Sequence, residues 1–389
     1  MYTLVKSKAL IDGTGRGPIP NGCILYCDGV IREVGRYEEF GSNIADYKVI
    51  DLSDSYILPG LINSHTHLSI VPAEGNQLAQ MRLPAATNIL RSMPNIRKDL
   101  ESGVTTMRIM GEEHFMDIEM KEGIKKKWIS GPRLLVSGRG LVATNGHGAA
   151  ITVSDGKEEI RKHGRQNLAK GADFLKIFAT GGVSSTSGSL DFCGYTYEEI
   201  ATVVEEAERV GTYVAAHAHG GKGLDWCLEA GVRTIEHAAF ITEEQVDKVI
   251  QKDGWIIGTF SILFHPTGIE QTDFHIPAIR EKVLQAREVA AANFQRVIAS
   301  GANLALGTDS MHGMINYEME CLVNFGATPK QAIQAVTGHA AKACRVEKTV
   351  GTLEVGKAAD FIALKNNPLD DIRHMRNVEY VYKDGERFV

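Results

Sequence analysis

No Cys-X-X-Cys pair, no long apolar run and no block of one charge sign beyond Lys125-Lys126-Lys127, which reads as a solvated helix face, occurs in this 389-residue chain. Its six cysteines, Cys23, Cys27, Cys193, Cys227, Cys321 and Cys344, are scattered, which argues against a disulfide scaffold and fits reduced thiols in a reducing compartment. No window approaches the roughly 18 uninterrupted apolar residues of a membrane helix, so no membrane partner is expected. No apolar segment follows a basic start, and the protein reads as cytoplasmic. The 42 basic and 48 acidic residues are interspersed to a formal charge of −6, so no basic face marks a nucleic-acid partner.

What the chain does have is length and apolar content. With 43% hydrophobic residues it can bury a large core, and one large domain beside a smaller one is the expected division. Residues 1–56 and 350–389 read as short strands: Cys23 to Cys27 and Val30 to Val34 flank the hairpin signal Asp28-Gly29, and Phe361 to Leu364 and Val378 to Lys383 precede Asp384-Gly385. The two ends are expected to pair into a composite β-sandwich domain. Between them, over 57–349, eight apolar runs alternate with helical patterns: Ile57 to His67, Val104 to Met110, Arg133 to Ser137, Asp173 to Ala179, Tyr213 to His219, Thr234 to His237, Trp255 to Phe260 and Asn303 to Asp309. Near-continuous apolar strands suit a parallel sheet covered on both faces. Capping boxes at Thr196/Glu199, Thr242/Gln245 and Thr328/Gln331 start three of the helices. The pattern predicts a (β/α)8 TIM barrel, with a doubly wound open sheet as the alternative.

A barrel places chemistry at the C-terminal ends of its strands, and there the reactive residues gather. Ser64-His65-Thr66-His67 closes strand one, and histidines at i and i+2 of an extended segment point to the same side. His217 and His219 end strand five, His237 ends strand six and Asp309 ends strand eight. Singly, each has a bland reading, as a polar strand end or a helix N-cap. Lys176 is the most informative residue. Inside Phe174-Leu175-Lys176-Ile177-Phe178 an ammonium is costly unless paired or neutral. Either it snorkels to the rim, or burial lowers its pKa, the neutral amine takes up carbon dioxide, and the carbamate offers two hard oxygens to metal ions.

With these residues in this order the chain resembles the binuclear branch of the amidohydrolase superfamily, over essentially its whole length and including the closing Gly351-Thr352-Leu353-Glu354-Val355-Gly356-Lys357-Ala358-Ala359-Asp360. By position, the resemblance implies that His65, His67 and Asp309 hold one divalent metal and His217 and His237 a second, with carboxylated Lys176 bridging them. The metals would be zinc, or manganese, about 3.5–4 Å apart and sharing the nucleophilic hydroxide. Asp309 would be general base and then acid. Deaminases of the superfamily usually lack the bridging lysine and carry Glu three residues after the strand-five histidine, where Gly220 stands here. Imidazolonepropionase-like members also do without the lysine. Lys176 to Gly182 and Asn145-Gly146-His147-Gly148 look instead like the Xaa-Pro dipeptidase (prolidase) and metallo-carboxypeptidase group, in which the residue matching His147 holds the substrate carbonyl or oxyanion.

That group commonly has tyrosine at the position of His219, where it meets the substrate's terminal carboxylate. His219 therefore either binds substrate beside His217 or serves as a structural hydrogen-bonder. Gly182 to Gly194 and Phe264 to Pro277, the latter with His265 and His275, are candidate substrate loops, while His114 and His312 lie on the same rim. The expected function is amide hydrolysis of a small-molecule or dipeptide substrate, such as a peptide or N-acyl amino acid, by a dipeptidase or carboxypeptidase-like enzyme. Hydrolysis of a cyclic amide, lactone or carbamate, or a non-catalytic scaffold of the same fold, are the alternatives. Enzymes of this type often form homo-oligomers, and one is expected here.

Overall fold

The computed structural model describes residues 1–40, 47–148, 151–186 and 188–389. Eight strands from the two chain ends join one sheet. They are β1 (Tyr2–Leu10), β2 (Ile19–Pro20), β3 (Gly22–Cys27), β4 (Val30–Arg36) and β5 (Lys48–Pro59), completed by β14 (Phe361–Leu364), β15 (Val378–Lys383) and β16 (Glu386–Arg387). The two predicted hairpins form where Asp28-Gly29 and Asp384-Gly385 take left-handed backbone, a conformation that joins antiparallel strands in two residues. Strands β1 and β5 run parallel, and β14 pairs antiparallel with β5. The sheet bends over itself: Tyr26 of β3 packs 6.4 Å from the ring of Phe361 in β14 and donates to the Gly385 carbonyl.

The strand expected over Ile57 to His67 is two strands. Ile57 to Pro59 belong to β5, where Ile57 pairs with Leu10 and Ala363, and the barrel begins at β6 (Leu61–Thr66). Gly60 is the joint. Its N–H bonds the Asp360 carbonyl, and a Cβ there would lie 2.2 Å from Thr105 Oγ1. Seven further strands follow: β7 (Val104–Ile109), β8 (Arg133–Val136), β9 (Leu175–Phe178), β10 (Val214–Ala218), β11 (Thr234–His237), β12 (Trp255–Gly258) and β13 (Leu304–Leu306). They pair in parallel as β6-β7-β8 and β9-β10-β11-β12-β13.

Two seams close this ring of eight. Leu141 bridges Ile177 between β8 and β9, and the amides of Thr308 and Asp309 both donate to the His65 carbonyl at 2.9 Å between β13 and β6. The result is a (β/α)8 barrel. All three predicted capping boxes form, opening helices Tyr197–Glu208, Glu243–Gln251 and Pro329–Ala335. No helix among the described residues is long and apolar enough to cross a membrane.

The seam at His65 requires glycine at 307. A Cβ there would sit 2.4 Å from both the backbone nitrogen and Cβ of His65, where neither side can yield without moving the strand. Gly307→Ala is expected to cost about 1–3 kcal/mol, as other overpacked cores do. A urea denaturation midpoint equal to wild type would show that the close approach does not exist.

Candidate active site

The upper ends of the barrel strands bring six imidazoles, one carboxylate and one amine into a single buried cluster. Among the described residues, ligand atoms of His65, His237 and Asp309 lie within 4.8 Å of one another, a group able to hold a metal ion. Asp309 Oδ1 is 3.4 Å from His65 Nε2 and 3.8 Å from His67 Nε2. The ring of His237 lies 4.6 Å from those of His65 and His217, and the ring of His147 is 4.6 Å from that of His217. His219 stands 4.9 Å from His217 and 5.2 Å from His237.

Three of these histidines are oriented from behind. Nδ1 of His65 donates to Glu236 Oε2 at 2.7 Å, Nδ1 of His67 donates to the Gly111 carbonyl at 3.0 Å, and Nδ1 of His237 is hydrogen-bonded to Thr259 Oγ1 at 2.7 Å. Each is left with Nε2 for the cluster, the arrangement that metal-ligating histidines show, one nitrogen anchored and the other presented. His217 differs: its Nε2 donates to the Gly181 carbonyl at 2.9 Å, which leaves Nδ1 as its ligand atom. Backbone conformation contributes too. His237 and Asp309 have φ of 71° and 45°, so the chain turns sharply as it leaves β11 and β13 and aims both side chains inward.

Lys176 is fully buried in β9, and its Nζ has no hydrogen-bond partner among the described residues. Burial pulls its pKa down to about 8, well below the ordinary lysine value, which brings the neutral amine within reach near neutral pH. It does not snorkel to the rim. Burial likewise holds His67 down to about 4, His219 to about 4 and His147 to about 3, and drives His217 and His237 well below the usual imidazole value. Neutral imidazole is the form that ligates a metal. For Asp309, burial alone would raise the pKa, but hydrogen bonding and charge from His65 and charge from His67 outweigh it and keep the carboxylate ionised.

His147, in the loop after β8, reaches the cluster with a buried Nδ1 that lacks a partner among the described residues. The close approach of Gly182 makes room for it, since a Cβ there would lie 2.3 Å from His147 Nε2. His219 is buried, and its Nδ1 also lacks a partner; its backbone amide takes a hydrogen bond to Thr180 Oγ1. Of the candidate loop over Gly182 to Gly194, Val183 and Ser184 line the cleft, and residue 187 lies outside the described residues. The strand-seven wall is made by Phe260, Ile262 and Leu263, just ahead of the expected Phe264 to Pro277. Of the other rim histidines, His312 is bonded to Asp99 and the Ile70 carbonyl, His265 to Thr267 and His275 to the Thr272 carbonyl.

Sequence reasoning missed the pair that supports the cluster. Arg108 of β7 and Glu236 of β11 are fully buried, 2.9 Å apart, and Arg108 also donates to the Ser64 carbonyl and Thr234 Oγ1. Burial works against the Glu236 carboxylate, yet Arg108 and His65 hold its pKa below the ordinary value. The signal was present as two opposite charges inside otherwise apolar strand patterns.

The strand ends of this barrel thus converge histidines, an aspartate and a buried lysine on one cluster that includes a possible metal site. The model described as the Amidohydrolase family matches residues 56–388, and the chain belongs to that family, as a hydrolase acting on C–N bonds. It is similar to ochratoxinase of Aspergillus niger, 27% identical over 425 residues that cover 99% of this chain and 86% of that protein. The crystal structure of that ochratoxinase superposes with a TM-score of 0.90, at 26% identity, covering 100% of this chain and 95% of the other. A crystal structure of a Xaa-Pro dipeptidase with methionine bound in its active site gives a TM-score of 0.91 at 29% identity, with both chains covered fully. Imidazolonepropionase of Geobacillus sp. (strain WCH70) is 24% identical over 408 residues, covering 94% of this chain and 90% of that protein.

Glu236→Gln removes the charge that opposes Arg108 and holds the His65 Nδ1–H. Loss of such an orienting partner is expected to weaken metal affinity about 10- to 100-fold. Zinc titration against a competing chelator measures it, and an affinity equal to wild type would mean that Glu236 does not orient His65.

Proposed function

We propose that the chain is a binuclear metal-dependent amidohydrolase that cleaves peptide or N-acyl amino acid amide bonds, in the manner of a dipeptidase or carboxypeptidase. The observation that carries this reading is the partnerless Nζ of Lys176, fully buried beneath a ring of neutral histidines and Asp309. Among the described residues no carboxylate is hydrogen-bonded to that amine. As a carbamate it becomes a bidentate oxygen donor facing imidazoles whose nitrogens are already presented, a mixed donor set that suits Zn²⁺ or Mn²⁺. The family membership and the likeness to an ochratoxinase and a Xaa-Pro dipeptidase support the same reading.

In this assignment His65, His67 and Asp309 would hold one ion and His217 and His237 the other, with carboxylated Lys176 as a further oxygen donor to the pair. When bound, the two ions supply an acidified water and Lewis-acid polarisation of the substrate carbonyl. The chain's own residues do the rest. Asp309, ionised and in reach of the centre, takes the proton of the attacking water and returns it to the departing amine. His147, held neutral, directs a ring N–H at the carbonyl oxygen as negative charge builds there; fixed donors of this kind cost no reorganisation during reaction. Barrel walls at the strand ends exclude bulk water, which strengthens each of these interactions.

Lys176→Ala is expected to lose both metal content and activity, with partial rescue by short carboxylic acids that replace the carbamate. Metal analysis of the purified variant checks it, and full activity with two equivalents of metal would refute the carbamate. His147→Ala is expected to lower kcat by about 10²- to 10³-fold, the scale of losing one oxyanion donor, with metal retained. Metal loss in that variant would make His147 a ligand. The reading as a whole is tested by amine release from Zn²⁺- or Mn²⁺-loaded protein across dipeptides and N-acyl amino acids grouped by C-terminal residue. Silence across that set with two metals bound would move the substrate to cyclic amides, lactones or carbamates.

A further inference from the structure

Two clefts meet over the proposed metal centre. His147, Ser184, His217, His237 and Asp309 line both. The scissile amide therefore belongs where the clefts join, and each half of the substrate enters one of them. The cleft walled by Ile262 and Leu263 also holds His219, a buried imidazole that neither metal assignment uses and whose Nδ1 has no partner among the described residues. A ring N–H there suits the carboxylate of the amino-acid half. The acyl half then falls to the other cleft, which Ile70, Leu78, Met81 and Phe178 wall with apolar surface and Gln77 with a carboxamide.

Gln77 is 6% exposed, and its Nε2 has no hydrogen-bond partner among the described residues. Its Oε1 accepts from Ser184 Oγ at 3.5 Å, so the NH₂ end of the amide is the unused one. Gln80, three residues on in the same short helix Gln77–Met81, behaves differently. Its Nε2 donates to the Val71 and Gly75 carbonyls at 3.1 and 2.6 Å, and its Oε1 accepts from the Val71 amide and from Arg91. That second amide builds the loop. The loop is pinned at the start of the helix as well, where the Asn76 amide donates to the Asp273 carboxylate. The Gln77 nitrogen takes no part in this scaffold, and a buried donor without an acceptor is costly to keep.

We propose that Gln77 is a substrate-binding residue whose carboxamide N–H donates to a neutral acceptor oxygen on the acyl half of the substrate. This deepens the amide-hydrolase reading and rests on it. The substrate class is an N-acyl amino acid whose acyl chain is otherwise apolar and carries a carbonyl oxygen beyond the scissile one. Charge favours a neutral acceptor: no lysine or arginine is among the described residues that line this cleft, and its one acidic side chain, Asp309, is the carboxylate of the proposed metal centre. An ion on the acyl chain would be desolvated against apolar walls without a counter-charge. An acyl chain with no oxygen would cover the Gln77 nitrogen and leave it unpaired, which is how a polar group in a pocket selects against the analogue that lacks its partner.

The test replaces one methylene by a carbonyl. Metal-loaded wild type, Gln77→Met and Gln77→Glu are compared on N-(4-oxopentanoyl)-leucine, N-(5-oxohexanoyl)-leucine and their N-pentanoyl and N-hexanoyl parents, with leucine release followed by chromatography. Wild type is expected to favour the better keto substrate over its parent about 5- to 50-fold in kcat/KM, chiefly through KM, because the buried donor is then paired. Gln77→Met, similar in size and without a donor, is expected to abolish that preference by losing on the keto substrate and gaining on the parent. Gln77→Glu keeps an acceptor for Ser184 and puts an oxygen in place of the NH₂, so it loses the preference too and covers the case in which methionine disturbs the loop. Equal losses on keto substrate and parent in both variants would make Gln77 a scaffold residue, and a wild type indifferent to the added carbonyl at either position would equally overturn the proposal. Wild type inert towards every N-acyl-leucine, with two metals bound, is the distinct result that removes the underlying reading and the proposal with it.

Discussion

The site depends on one buried ion pair. A guanidinium and a carboxylate at zero exposure, Arg108 and Glu236, lie inside the barrel where each alone would be prohibitively costly. Together they are satisfied, and Arg108 extends the satisfaction to Ser64 of β6 and Thr234 of β11. One side chain thus fastens three strands. The pair also passes a charge forward: Glu236 accepts from Nδ1 of His65, which fixes the tautomer and leaves Nε2 aimed at Asp309. A pair of this kind is weak evidence for net stability, because well-packed apolar residues would serve as well. Its retention makes sense as a specification of ring orientation, which an apolar floor could not provide.

The same low dielectric explains why the other ionisable groups behave as they do. Asp309 stays ionised because imidazoles point at it, whereas Lys176 is drawn toward neutrality because burial dominates. Environment holds one group ionised and draws the other toward its neutral form within one cluster. Backbone strain at the strand ends belongs to this design. His237 and Asp309 occupy left-handed φ that non-glycine residues rarely adopt, and the amide of Asp309 is held there by the His65 carbonyl. The bond that closes the barrel is also the bond that positions the carboxylate.

Much of this was legible in the sequence, for physical reasons. Parallel strands buried on both faces must be almost wholly apolar, so eight such runs with capping boxes between them announce the barrel. Histidines at i and i+2 announce a common direction, and a lysine inside an apolar strand announces an unusual fate. Arg108 and Glu236 were legible only as two isolated charges within apolar strand patterns, because their pairing requires that β7 and β11 face each other across a closed ring. The break at Gly60 hid for another reason: Ile57 to Pro59 and Leu61 to Thr66 are equally apolar, and only the partner strands tell them apart. The nitrogen that His217 presents depends on the Gly181 carbonyl, a contact between a strand and a loop that no spacing encodes.

Strands and loops therefore divide the work along a line that also divides the kinds of evidence. Every residue of the proposed metal centre sits on or within a few residues of a barrel strand, where period-two alternation and sheet closure leave little freedom. The residues that would choose a substrate come from the loops after β6 and β9, the short segment after β12 and a 24-residue helix, whose packing against one another is long-range. Gln77 in the first of these loops looks like any surface glutamine until the loop is laid against Ser184. Loops on a rigid scaffold can be exchanged without disturbing the chemistry beneath them. An ochratoxinase and a Xaa-Pro dipeptidase superpose on the whole of this chain with nearly the same TM-score, 0.90 and 0.91. Likeness at that level reports the shared fold, and the identity of the substrate has to be read from the cleft walls.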